Sequence, residues 1–147
     1  MSVSCKVVFA RGALFVALLF LSCSAWGQLN CDYKLKPSDQ HKLNQAVELY
    51  NQKKYAQSNE ILKRLLSHNP QSPDVLFYLG MNAVQRDFNV GGIRRYFTRL
   101  FDHCNDYPNA LAHYYMGIVN YTDEKFELAL SNFNRFFVIA NTQSQPS

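Results

Sequence analysis

Two cysteines, Cys31 and Cys104, are the most reactive side chains beyond the first 27 positions. A thiol pair can close a disulfide, bind a soft metal or cycle as a redox couple, and each use needs its own setting. His103 stands beside Cys104, but a structural zinc site takes four ligands and this His-Cys pair has no matching second pair. No metal is therefore expected. The chain has no Cys-x-x-Cys, His-Glu-x-x-His or Gly-x-Ser-x-Gly run and no phosphate-cradling glycine loop. The acidic pair Asp123-Glu124 is accounted for by a helix N-terminus, whose dipole favours acids. No catalytic residue and no cofactor is expected, so the chain reads as a non-enzyme. A thiol redox module built on Cys31 and Cys104 is the rival within the enzyme class.

The first 27 residues look like an address rather than part of a fold. Lys6 and Arg11 give a charged start, Ala13 to Leu21 an apolar run, and Ala25-Trp26-Gly27 small residues where a signal peptidase inspects. Cleavage is expected between Gly27 and Gln28. The uncharged stretch from Gly12 to Gln28 is 17 residues and includes Ser22, Ser24 and Gln28, short of the ~20 apolar residues a spanning helix needs. Lipidation at Cys23 is a second reading, and membrane contact is expected only through it. Either route exports the chain, to the periplasm or the outer membrane. An oxidising compartment permits a Cys31–Cys104 bond. No spacing rule joins residues so far apart, which leaves unpaired thiols as the default and the bond as the alternative.

The formal charge is +4, and two of the positive charges lie in the first 27 residues, so the rest is close to neutral. Lys53-Lys54 and Arg94-Arg95 then read as solvated helix faces, and no nucleic-acid partner is expected. With 48% hydrophobic residues and few prolines and glycines, the composition is that of a globular domain.

The elements that would position any site show up as an internal repeat. Ala46, Gly80 and Gly117 share one register, 34 and then 37 residues apart. Ser58, Gly92 and Ala129 repeat the same intervals, and so do the large residues Leu62, Tyr96 and Phe133. A period in this range marks a helical array in which each unit is a pair of helices. Helix-spaced apolar positions such as Leu43, Ala46, Val47 and Tyr50 agree. Ser38, Ser72 and Thr122 or Asp123 are candidate helix caps. Small residues on the first helix of each pair are expected to face small residues on the second, letting the flanking bulky side chains interlock.

At these positions the sequence resembles the tetratricopeptide repeat family. Leu79-Gly80 and Met116-Gly117 match its Leu-Gly, Tyr55 and Phe126 its second-helix aromatic with Phe88 one residue early, Ala129 its small residue, and Pro70 its terminal proline. Arg99 stands where that family has a small core residue. The resemblance implies an all-α fold: a right-handed solenoid of about three antiparallel helix pairs, following a cleaved signal peptide. The expected division is 1–27 signal peptide, 28–38 N-terminal segment, repeats at 39–72, 73–109 and 110–143, and a polar tail at 144–147. The exported start and "AHYYMGIVNYTDEKFELALSNFNRFF" further resemble the N-terminal repeat region of Bacteroidota envelope proteins that join such repeats to a β-propeller and an OmpA-like domain.

That resemblance implies a concave groove lined by the first helices. Its positions fall on Leu43, Val47 and Tyr50, on Phe77, Met81 and Val84, and on Tyr114, Ile118 and Tyr121. An apolar and aromatic groove would hold a partner peptide or helix by an apolar anchor. The same surface would suit a small apolar or glycan ligand, and residues 29–35 could fill part of it. Phe136, Phe137 and Ile139 on the last helix have no following repeat to cover them, which points to a docking face or to self-association. The expected role is an exported protein-binding scaffold, in an envelope assembly or secretion complex.

Overall fold

The computed structural model describes residues 31–143. The signal segment 1–27 with Cys23, residues 28–30 and the tail 144–147 lie outside those residues. Among the described residues the chain is all helical: α1 Pro37–Asn51, α2 Tyr55–His68, α3 Pro73–Gln85, α4 Val90–His103, α5 Ala110–Thr122 and α6 Phe126–Gln143. Consecutive helices pair as three hairpins, α1–α2, α3–α4 and α5–α6. Hairpins join through α2 against α3, α1 against α3, and α4 against α5.

Prolines open α1 and α3, where a missing N–H costs nothing because the first N–H groups of a helix are unpaired anyway. Asn89 and Asn109 cap α4 and α5, their side chains accepting from Gly92 N–H and Leu111 N–H. The expected caps behave differently. Ser38 lies inside the first turn of α1, and Ser72 occupies the N-cap of α3 without a side-chain bond. Asp123 ends α5 and pairs with Arg94 of the preceding hairpin.

The turns within the hairpins carry the repeat in their backbone. Lys53, Asp87 and Glu124 have φ of 60°, 58° and 60°. Lys54 N–H bonds Leu49 O at 2.8 Å and Lys125 N–H bonds Asn120 O at 2.9 Å. These are Schellman closures, a geometry that usually falls to glycine. The middle turn differs. Phe88 also has a positive φ, of 47°, and Asn89 N–H reaches back one residue further, to Ala83 O. One extra residue is thus inserted between α3 and α4. Replacing Glu124 with glycine removes the left-handed penalty of a side chain, offset in part by the freedom glycine has when unfolded. Chemical denaturation is expected to show a gain of roughly 0.5–1 kcal/mol.

The insertion corrects the alignment of the middle unit. Counting from Gly80, the residues equivalent to Ser58 and Ala129 are not Gly92 but Ile93, and those equivalent to Leu62 and Phe133 are not Tyr96 but Phe97. Ile93 and Phe97 are both fully buried. Arg99 no longer occupies a core position. Leu100 takes that place, buried, and Arg99 donates to Pro70 O at 2.8 Å.

The small residues work by a different contact from the expected one. A Cβ on Gly117 would fall 2.6 Å from the Phe133 ring, and one on Gly80 would collide with the Phe97 ring. Each glycine therefore faces an aromatic ring of its own hairpin partner, not the opposite small residue. Gly92 instead abuts Ala83: a Cβ added to Gly92 would lie 3.0 Å from the Ala83 Cβ. The core forms two clusters, one around Leu43, Ala46, Leu62 and Leu79, the other around Phe77, Phe97, Leu100 and Val119. It thins toward the C-terminal end, where Ala129 is the buried residue of α6.

Candidate functional site

Cys31 and Cys104 are joined by a disulfide, with Cα atoms 4.8 Å apart and a sequence separation of 73 residues. Cys104 caps the C-terminus of α4 and is fully buried, so the bond staples the leading segment to the end of the second hairpin. The leading segment reaches it along the loops that join the hairpins. Tyr33 Oη donates to Asn69 Oδ1 at 3.2 Å, and Leu35 packs on the first core cluster. Asn69 Nδ2 in turn donates to Asp39 Oδ2 at 3.0 Å, and that bond holds the Asp39 carboxyl below its ordinary range. One hairpin later, Tyr107 Oη donates to Asp74 Oδ1 at 2.9 Å. Burial, then the Asp74 charge, pushes the Tyr107 phenol far above its ordinary value.

A cleft of about 510 Å³ opens between α1 and α3. Leu43, Val47 and Phe77 form its floor; Asn44, Asn51, Glu48 and Asp74 stand at its rim, and no Lys or Arg lines it. The rim is more polar and more acidic than the apolar, aromatic groove expected from sequence. Of the stretch 29–35 expected to fill part of the groove, residues 31–35 do not line this cleft, and residues 29 and 30 lie outside the described residues.

The expected groove residues divide by burial. Phe77 and Met81 are 4% exposed and belong to the core. Tyr50, Val84 and Ile118 are half-buried, while Tyr114 and Tyr121 are exposed. Phe77 is held by Tyr107 and Phe97, with ring centroids 5.3 and 6.2 Å away, which is why so little of it reaches the cleft floor. Sequence reasoning missed Tyr78 and Tyr115, the residues next to the assumed stripes. Tyr78 meets Tyr50 edge-on at 5.8 Å, and Tyr115 meets Phe88 at 6.2 Å. Burial raises the Tyr50 phenol, opposed by the Gln85 hydrogen bond and reinforced by Tyr55, Tyr115 and Tyr78.

On the last hairpin Phe137 is 58% exposed, whereas Phe136 and Ile139 are half-buried, Phe136 against Tyr114 at 5.3 Å. Phe126, Leu128, Leu130 and Val138 add to the exposed apolar surface of α6.

A second cleft, about 590 Å³, lies among α4, α5 and α6. His113 borders it, 5% exposed, with its ring stacked 4.6 Å from Phe101. Its Nε2 is buried with no hydrogen-bond partner. Burial pushes the imidazole below its ordinary value, against weaker opposing contributions from Asn132 and the Tyr107 backbone. The unfolded chain takes up a proton near pH 6.5 that the folded chain refuses. Stability is thus complete above that pH and is expected to fall as pH drops through about 6.5. Urea midpoints between pH 8 and 5 check this, and His113→Phe is expected to flatten the profile.

Among the described residues no group of three His, Cys, Asp or Glu could hold a metal ion, and no helix is long and apolar enough to cross a membrane. No protein-family model matches the chain, and no curated protein matches it either.

Proposed function

We propose that the chain is an exported, non-enzymatic scaffold that holds a partner peptide or helix. In this reading the three hairpins form a right-handed tetratricopeptide-like solenoid behind a cleaved signal peptide. It works in the periplasm or at the outer membrane, in an envelope assembly or secretion complex of a Bacteroidota cell. The Cys31–Cys104 bond supports export, because disulfides persist in oxidising compartments.

The observation that carries the binding role is the α1–α3 cleft, with its apolar floor and a rim bearing Glu48 and Asp74 unaccompanied by cations. Apolar floors supply affinity and flanking charge sets specificity and encounter rate. The fitting partner therefore has an apolar anchor next to a Lys or Arg. Tyr114 and Tyr121, two of the expected groove residues, are exposed on α5 of the third hairpin.

A selection from a random peptide library tests this. Enriched peptides are expected to share an apolar residue flanked by a basic one, and to lose binding at least tenfold when Glu48 becomes Lys or Val47 becomes Asp. Enrichment without that pattern, or unaffected by both changes, contradicts the proposal.

A further inference from the structure

We infer that the cleft among α4, α5 and α6 binds a neutral saccharide, at a site that shares no lining residue with the α1–α3 cleft. The first support is His113. A polar atom buried without a partner is destabilising, so an orphan at a cleft wall is a place where a ligand atom or a water belongs. Its Nε2 is such an atom. Burial holds the imidazole neutral, against weaker contributions from Asn132 and the Tyr107 backbone, so Nε2 accepts in one tautomer and donates in the other. A hydroxyl, which both donates and accepts, fits it in either.

The rest of the wall narrows the class. Asn105, Asn120, Asn132 and Asn134 line the cleft with Thr98 and Ser131. Amides and hydroxyls both donate and accept, which matches a molecule bearing a hydroxyl on nearly every carbon. Phe101, Met116 and Val138 supply an apolar patch for the C–H face of a sugar ring. Charge excludes the anionic alternatives. Arg135 is tied to Asp106, and Asp102 leaves the lining net negative, so phosphates and acidic sugars are disfavoured. The volume, about 590 Å³, falls within the range of small-ligand pockets.

The geometry explains why this cleft stays open. The third hairpin docks through α4 against α5, and α4 and α6 make no comparable contact, so a wedge remains between them.

The test is ligand-observed NMR and calorimetry on the mature chain with glucose, maltose and N,N'-diacetylchitobiose, and glucose 6-phosphate as the charged counterpart. At least one neutral sugar is expected to bind saturably, with glucose 6-phosphate at least tenfold weaker. Asn120→Leu and Asn132→Ala are expected to weaken the neutral sugar tenfold or more while circular dichroism stays native. His113→Phe should do the same, and the two amide variants keep the test decisive if it misfolds. Absence of saturable binding by all three neutral sugars, or binding indifferent to both amide variants, overturns the inference.

Discussion

Replacing Gly80 with leucine is expected to destabilise the chain by at least about 3 kcal/mol, the upper part of the range for forcing volume into a packed core. A Cβ at this position already collides with the Phe97 ring, and Phe97 is fully buried with nowhere to move. Even alanine, which normally gains about 1 kcal/mol over glycine inside a helix, is expected to lose here. Gly117→Leu is expected to cost less, because Phe133 is half-buried and its ring can swing toward solvent. Gly91 is the internal control. A Cβ there meets only Asn89 Oδ1, at 3.6 Å, so Gly91→Ala should be neutral or stabilising. Urea unfolding of the variants orders them; equal midpoints for Gly80→Leu and Gly91→Ala would refute the ring-over-glycine packing.

Opening the Cys31–Cys104 bridge has an effect of similar size by another route. The bond closes a loop of 73 residues, and in the chain-entropy description a loop of that length restricts the unfolded state by about 4 kcal/mol. That is a large fraction of the roughly 5–15 kcal/mol that holds a domain folded. The paired change Cys31→Ser and Cys104→Ala should lower the urea midpoint as far as reduction does. Because Tyr33 and Leu35 also anchor the leading segment, the reduced chain is expected to keep its helical spectrum in the absence of denaturant. A midpoint indifferent to reductant would show that the bridge constrains nothing.

The helical class and the three pairs were legible because apolar spacing and small-residue registers report the helix period directly. The second unit was legible only to within one residue. Phe88 adds a position to the turn, and a single insertion shifts every later side chain of α4 by about 100° around its axis. That is why Gly92 and Tyr96 matched the repeat by spacing alone, why Arg99 stood at an expected core position, and why Ile93, Phe97 and Leu100 are the residues in the core.

The candidate site was legible in outline only. Periodicity identifies the side of a helix, but not how far a loop from the next unit covers it. Tyr107 closes over Phe77 from the loop after α4 and removes an expected groove residue from the surface. The acids at the cleft rim come from two helices, Glu48 on α1 and Asp74 on α3, and their proximity has no signature in either stretch alone. The disulfide is of the same kind, since a sequence separation of 73 residues carries no pairing rule.

Photocrosslinking in intact cells tests the scaffold role most directly, with a photoreactive residue at Asn44 or Val47 of the α1–α3 cleft and, as control, at the exposed Glu60. The account predicts that both cleft-side positions capture one shared protein that the control does not. Capture of the same proteins with equal yield at Glu60, or of none at either cleft-side position, would contradict it.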